Sequence, residues 1–246
     1  MHFFSASTHR WNLLRTVLSA VNAVERSLLP KRLCETRWSS RSDALKSLSQ
    51  HYKVYHDVLQ QIADDPLQKC DTRSEALAMA NIMDTLETVF MTVFWSALLQ
   101  RIHESSQLLQ STTIEIGSAI AVLKSLLGFL EAQRSLFDDY KARAVAISKT
   151  PCFKEVRVRR AKRVFGDSSE PDVVMSSEEK FRIETFYAIL DRIVTDLNNR
   201  IRAYSETDTR FLFLRHHELQ NFDAVKDSLS RLTSFYSDDL DAEIFD

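Results

Sequence analysis

The sequence predicts a mainly α fold, and three observations carry that prediction. Glycine and proline are scarce, three and four among 246 residues, against general usage of about 7% and 5%. Apolar residues recur three and four positions apart over long stretches, which is the spacing of one face of a helix. Residues that accept a hydrogen bond from a free first-turn amide stand just ahead of several of those stretches. A many-stranded fold needs frequent turn residues and a phosphate-cradling loop needs glycines, so both are disfavoured. The length suffices for one large or two modest domains with ample core.

The elements follow in order. A first helix is expected over residues 8–28, with Leu14, Val17, Leu18, Val21 and Val24 on one side. Pro30 ends it, because proline has no amide hydrogen to donate. Residues 32–34 read as a short strand. A second helix is expected to open at Ser39 or Ser40, with Ala44, Leu45, Leu48, Tyr55, Leu59 and Ile62 as its inner stripe, and "ADDPLQKCDT" breaks it. Residues 73–109 read as helical with a bend between Asn81 and Thr85. There Leu86, Val89, Phe90, Val93, Phe94, Ala97 and Leu98 form a face wide enough for burial on more than one side.

Thr112 and Glu115 form a capping-box pattern. The helix expected after it carries Ala119, Ile120, Leu123, Leu126, Leu127, Leu130, Phe137 and Tyr140, and if continuous to Ile147 it would be about 50 Å long. Residues 151–175 are polar and charged with two prolines, and read as a mobile loop. Ser176 and Glu179 repeat the capping-box pattern, and the stripe after them is Ile183, Phe186, Tyr187, Leu190, Ile193, Val194, Leu197, Ile201 and Tyr204. Residues 211–214 suit strand or helix, and a last helix is expected over residues 222–235.

Composition narrows the function classes. A net charge of −2 exerts no global pull toward nucleic acid or an anionic membrane, so any such pull must be local. Cys34, Cys70 and Cys152 are far apart and form no Cys-x-x-Cys pair, which suits a reducing compartment and neither a disulfide framework nor a zinc ribbon. The start, "MHFFSASTHRW", lacks the basic-then-apolar layout of a secretory signal. The apolar run over residues 86–99 is shorter than the ~20 residues of a membrane span and reads as a buried helix.

The strongest charge feature is "KEVRVRRAKRVFGD", in which Lys154, Arg157, Arg159, Arg160, Lys162 and Arg163 are opposed within residues 154–163 by Glu155 alone. Such a segment can follow a phosphate backbone, serve as a nuclear-import address, or simply be solvated. "HRW" (9–11) and "TRW" (36–38) each set a rigid aromatic beside a guanidinium. Either the ring is core and the charge reaches solvent, or the pair grips a nucleic acid, cation on phosphate and ring on base. Asp64–Asp65, Asp138–Asp139 and Asp238–Asp239 are most cheaply explained as turn and surface carboxylates. His51 and His56 are five apart and do not share a helix face as ligands four apart would. No catalytic residue and no metal ligand is assigned.

Taken together, "FFSASTHRWNLL", "KRLCETRWSSRSDALKSL", "DTRSEALAMANIMDTLETVFMTVFWSALLQRIHESSQLLQS", "FKEVRVRRAKRVFGD", "EEKFRIETFYAILDRIVTDLNNRI" and "FYSDDL" resemble the hAT superfamily of transposases, most closely its zinc finger MYM-type protein 1-like group. The resemblance implies the long-helix insertion domain of such a transposase, with at most remnants of its ribonuclease-H-like sheet. Residues 1–38 would be a remnant of the ribonuclease-H-like region. Residues 39–150 and 176–246 would be the two parts of the insertion, with the basic loop 151–175 between them.

Trp38 would be the residue that stacks on a displaced base and Arg37 its neighbour. The family's two aspartates and one glutamate, which hold divalent metal for strand cleavage, lie upstream and downstream of the matched region. The expectation is therefore a non-enzymatic protein with no cofactor, associated with DNA through Arg37, Trp38 and the basic loop. The alternative is a helical module that binds protein or itself through exposed seams. Neither reading involves a membrane, and both the resemblance and the basic segment point to the nucleus.

Overall fold

A computed structural model describes residues 2–21, 38–155, 175–215 and 222–238. These residues are mainly helical and contain no strand. The expected strand at residues 32–34 and the expected end of the first helix at Pro30 lie outside the described residues. In chain order the helices are α1 (His2–Ser5), α2 (Thr8–Val21), α3 (Trp38–Gln50), α4 (Tyr52–Asp64), α5 (Cys70–Met83) and α6 (Leu86–Leu109). After them come α7 (Ile116–Gln133), α8 (Phe137–Ile147), α9 (Ser177–Phe181), α10 (Ala188–Arg215) and α11 (Phe222–Phe235). A 3-10 turn, Arg134–Leu136, joins α7 to α8, and a π turn, Arg182–Tyr187, joins α9 to α10.

Several expectations shift. The single helix expected across residues 39–62 is two, because the backbone at His51 leaves helical values (φ −119°, ψ 31°). The expected bend before Leu86 is present, and α5 and α6 meet at 77°. The Thr112–Glu115 capping box does not form. Ser111 instead closes local turns with Thr113 and Ile114, and the first α7 bond runs from the Ala119 amide to the Glu115 carbonyl. Residues 211–214 are helical, as part of α10.

The chain divides into two compact units, residues 1–104 with 132–190, and residues 105–131 with 191–246. In the first unit α1, α2, α4 and α5 share a core of Phe3, Phe4, Leu14, Leu18, Tyr55, Val58, Leu59 and Ile62. Ala76 and Ala80, four apart on α5, are fully buried in it. Having no side chain beyond Cβ, they let α5 lie close against α4. Trp11 packs at the edge of this core, while the neighbouring Arg10 lies over the Phe3 ring at 4.2 Å. "HRW" is thus core plus a surface cation.

A second core in the same unit gathers around Phe90. Its ring centroid lies 5.1 Å from Phe137, 5.2 Å from Phe181, 5.7 Å from Phe186, 6.0 Å from Tyr140 and 6.4 Å from Phe153. These separations fall in the range where aromatic pairs attract by about 0.5–1.5 kcal/mol each beyond their area burial. The π turn makes this possible. Phe181 and Phe186 are five apart, which in an α-helix is roughly 0.4 of a turn out of register. Bonds from i to i+5 bring positions five apart onto one face, so both rings reach Phe90. Ile183, which α periodicity assigned to the inner stripe, is 49% exposed. Arg182 pairs with Asp138 and lies 4.1 Å over the Phe137 ring, and Lys141 pairs with Glu178; both ion pairs tie α8 to the start of the next helical run.

In the second unit Ile120, Leu123, Leu126 and Leu130 on α7 are buried at helical spacing, as are Leu197 and Ile201 one turn apart on α10. Near the end of α10, Arg210 lies 3.8 Å over the Phe235 ring of α11, and Phe211 meets Tyr236 at 6.3 Å. At Gly128 on α7 a Cβ would meet no atom within 4 Å.

Replacing Phe186 by alanine should cost about 3–5 kcal/mol, the range for truncating a buried aromatic ring, read as a lower midpoint of urea unfolding. Burial pushes the Tyr55 phenol up from 10.0 to about 12, against the opposing hydrogen bond with Ser47. A phenol raised in this way stabilises the fold fully below its unfolded value and loses that contribution as pH rises through the folded one. Unfolding free energy should therefore fall between pH 10.0 and about 12, and Tyr55→Phe should flatten that fall.

Candidate functional site

The site is built from the two roots of the basic segment. At the first root, Ser148 ends α8 by turning extended (φ −70°, ψ 145°), and Pro151 follows it. Phe153 is buried, its ring 4.9 Å from Phe181 and 6.3 Å from Phe137. Lys154 is exposed, and its backbone amide donates to the Glu87 carboxylate at the start of α6.

At the second root, Met175 and Ser176 are exposed. Ser176 caps α9 with the full capping box that the sequence predicts. Its hydroxyl accepts from the Glu179 amide at 3.1 Å, and its amide donates to the Glu179 carboxylate at 2.9 Å. Those bonds from Ser176, backbone first, hold the Glu179 carboxyl below its usual range. One turn on, Phe181 enters the Phe90 cluster. Phe153 and Phe181, which flank the cation-rich residues in sequence, thus share one aromatic core with Phe90.

Of the sequence-predicted residues, Lys154 is the one whose side-chain exposure is described. Arg157, Arg159, Arg160, Lys162 and Arg163 lie outside the described residues, as do Arg37 and the side chain of Trp38. The backbone of Trp38 opens α3, within two residues of the expected start, and Ser40 and Ser42 behind it are buried. Asp65 serves a turn, accepting from the Leu67 amide at 2.9 Å and from Gln68 at 3.0 Å. Hydrogen bonds from Gln68 and Leu67 lower its carboxyl below the usual range.

A polar cluster that sequence reading missed joins three distant points of the first unit. His56 on α4 is nearly buried, with its Nε2 3.2 Å from an Asp84 carboxylate oxygen. Lys149 Nζ lies 3.1 Å from that same Asp84 oxygen and 3.1 Å from His56 Nε2. The other ring nitrogen, Nδ1, faces Asp57 at 3.4 Å. The three groups are contributed by α4, by the corner between α5 and α6, and by the chain just after α8. Separations of 65 and 93 positions from Lys149 leave no local signal by which spacing could have found them.

Among the described residues no group of three or more His, Cys, Asp or Glu side chains is placed to hold a metal ion. Cys70 and Cys152 are free and exposed. Also among the described residues, one helical stretch, Ile116–Ile147, is long and apolar enough to cross a membrane; 28% of its most apolar window is buried. No protein-family model, curated protein or solved structure matches the chain.

Proposed function

We propose that the chain is a non-catalytic helical protein derived from a hAT-type transposase, nuclear, and associated with nucleic acid through the Arg37–Trp38 motif and the basic segment. The observation that carries this reading is the anchoring of both roots of the segment on one aromatic core. Phe153 and Phe181, which flank it, lie 4.9 Å apart. A segment tethered at both ends gives up less freedom when its cations line up along a polyanion, so more of the electrostatic gain remains as affinity. Trp38 would add base stacking, worth about 1–3 kcal/mol. The non-catalytic part rests on the resemblance, which matches the family's helical insertion rather than its metal-holding acids.

One observation favours a second reading, a helical module that binds protein or its own copy. Leu108 near the end of α6 is 57% exposed, and Val145 and Ile147 on α8 are 37% and 40% exposed; exposed apolar side chains are what such a binding surface would use.

Titration of single-stranded and hairpin DNA with the full chain over a salt series separates the two. The first reading expects affinity that falls linearly in log K against log salt. Neutralising Lys154, Arg157, Arg159, Arg160, Lys162 and Arg163 to glutamine should flatten the slope by up to about 4 on single strands, at roughly 0.7 per phosphate. Trp38→Ala should weaken binding about 5- to 150-fold with the slope unchanged. Absence of DNA binding at low salt, together with a mass that rises with protein concentration, would overturn it in favour of the module.

A further inference from the structure

We propose that Thr150 is a phosphorylation site for a proline-directed serine/threonine kinase, and that its phosphate weakens the hold of the basic segment on a polyanion. The site rests on Thr150 and Pro151 themselves. Only the consequence rests on the nucleic-acid reading above.

Of the four prolines, Pro151 alone follows a serine or threonine, since Leu29, Asp65 and Glu170 precede the others. Proline crowds the residue before it out of helical geometry and into extended geometry. It also brings no amide hydrogen. A kinase pocket that offers no acceptor to the residue after the hydroxyl therefore takes proline freely. Any other residue would bury an unpaired amide there.

The structure presents Thr150 in the form such a pocket needs. The chain turns extended at Ser148 as α8 ends (φ −70°, ψ 145°), and residues 148–155 are neither helix nor strand. Thr150 is exposed. Its amide donates to the Ser148 hydroxyl at 3.1 Å, and its carbonyl accepts from that hydroxyl at 2.8 Å. The acceptor residue is thus held by one neighbouring side chain rather than by a helix. Among the described residues, no group hydrogen-bonds the Thr150 hydroxyl itself. The other hydroxyls flanking the basic segment are engaged, Ser148 in those two bonds and Ser176 in its capping box.

Transfer joins Thr150 Oγ to the γ-phosphorus of ATP, breaks the bond from that phosphorus to its bridging oxygen, and releases ADP. The hydroxyl proton passes to the kinase's catalytic aspartate. The new group carries about −1.5 to −2 charges at pH 7. It stands four residues before Lys154, the first of six cations that Glu155 alone opposes within residues 154–163. A charge of that size offsets up to about two of those cations.

Incubation of the full chain with ATP and a purified cyclin-dependent or mitogen-activated kinase, two classes that require proline after the acceptor, tests the site, with mass spectrometry to place the phosphate. Phosphate on Thr150 is expected, and none in Thr150→Val. Transfer should be about 5- to 150-fold slower in Pro151→Ala, which keeps the hydroxyl but restores an amide. The phosphorylated chain should bind single-stranded DNA more weakly, with a salt slope flatter by up to about 1.4, at roughly 0.7 for each of two neutralised cations. No phosphate on Thr150 with either kinase, or an equal rate in Pro151→Ala, would overturn the site. Unchanged DNA affinity after complete phosphorylation would overturn the consequence. An unmodified chain that binds no DNA would remove the nucleic-acid reading and the consequence with it, while phosphate mapped to Thr150 would still uphold the site.

Discussion

The packing around Phe90 is the constraint on which the larger part of the first unit depends. One ring on α6 receives side chains from α8, from the chain after it, from α9 and from the π turn. Segments far apart in sequence meet there without any strand or disulfide among the described residues to hold them. Aromatic rings suit this task because each buries a large area and still prefers defined edge-to-face or offset geometries. The Tyr140 hydroxyl, which would be costly if buried alone, donates to Gln133 across the 3-10 turn.

The π turn is the clearest place where packing overrides local preference. A π stretch is uncommon and offers no intrinsic advantage over α geometry. Burying Phe186 fully and Phe181 in part offsets that, at about 1.5–3 kcal/mol for the fully buried ring. The same shift expels Ile183. A pattern read at 3.6 residues per turn cannot register a local change to a longer turn, so sequence reading placed Ile183 inside and left Phe181 out.

Elsewhere legibility followed the range of the physics. The Ser176 box was readable because all its partners lie within three residues of one another. The α6 face and the stripe of Tyr55, Leu59 and Ile62 were readable because one helix carries the whole pattern. Thr112 and Glu115 had the right letters, yet Ser111 holds the preceding turn and the helix opens later. Val21 and Tyr204, both assigned inward by periodicity, are exposed, since periodicity gives a face and not whether a neighbour covers it. Of the candidate interface, the charge of the segment was plain in the sequence. That its two roots share one core was not, because this depends on contacts between Phe153, Phe181 and Phe90 across the fold.

The most direct test of that shared anchorage is dipolar EPR between a nitroxide on the native Cys152 and one on Met175→Cys, with Cys34 and Cys70 replaced by serine. Anchorage on the Phe90 ring predicts a single short, narrow distance distribution that broadens in Phe90→Ala under conditions where circular dichroism still reports a helical chain. A broad distribution in the chain with Phe90 intact, or a narrow one that persists in Phe90→Ala, would contradict it.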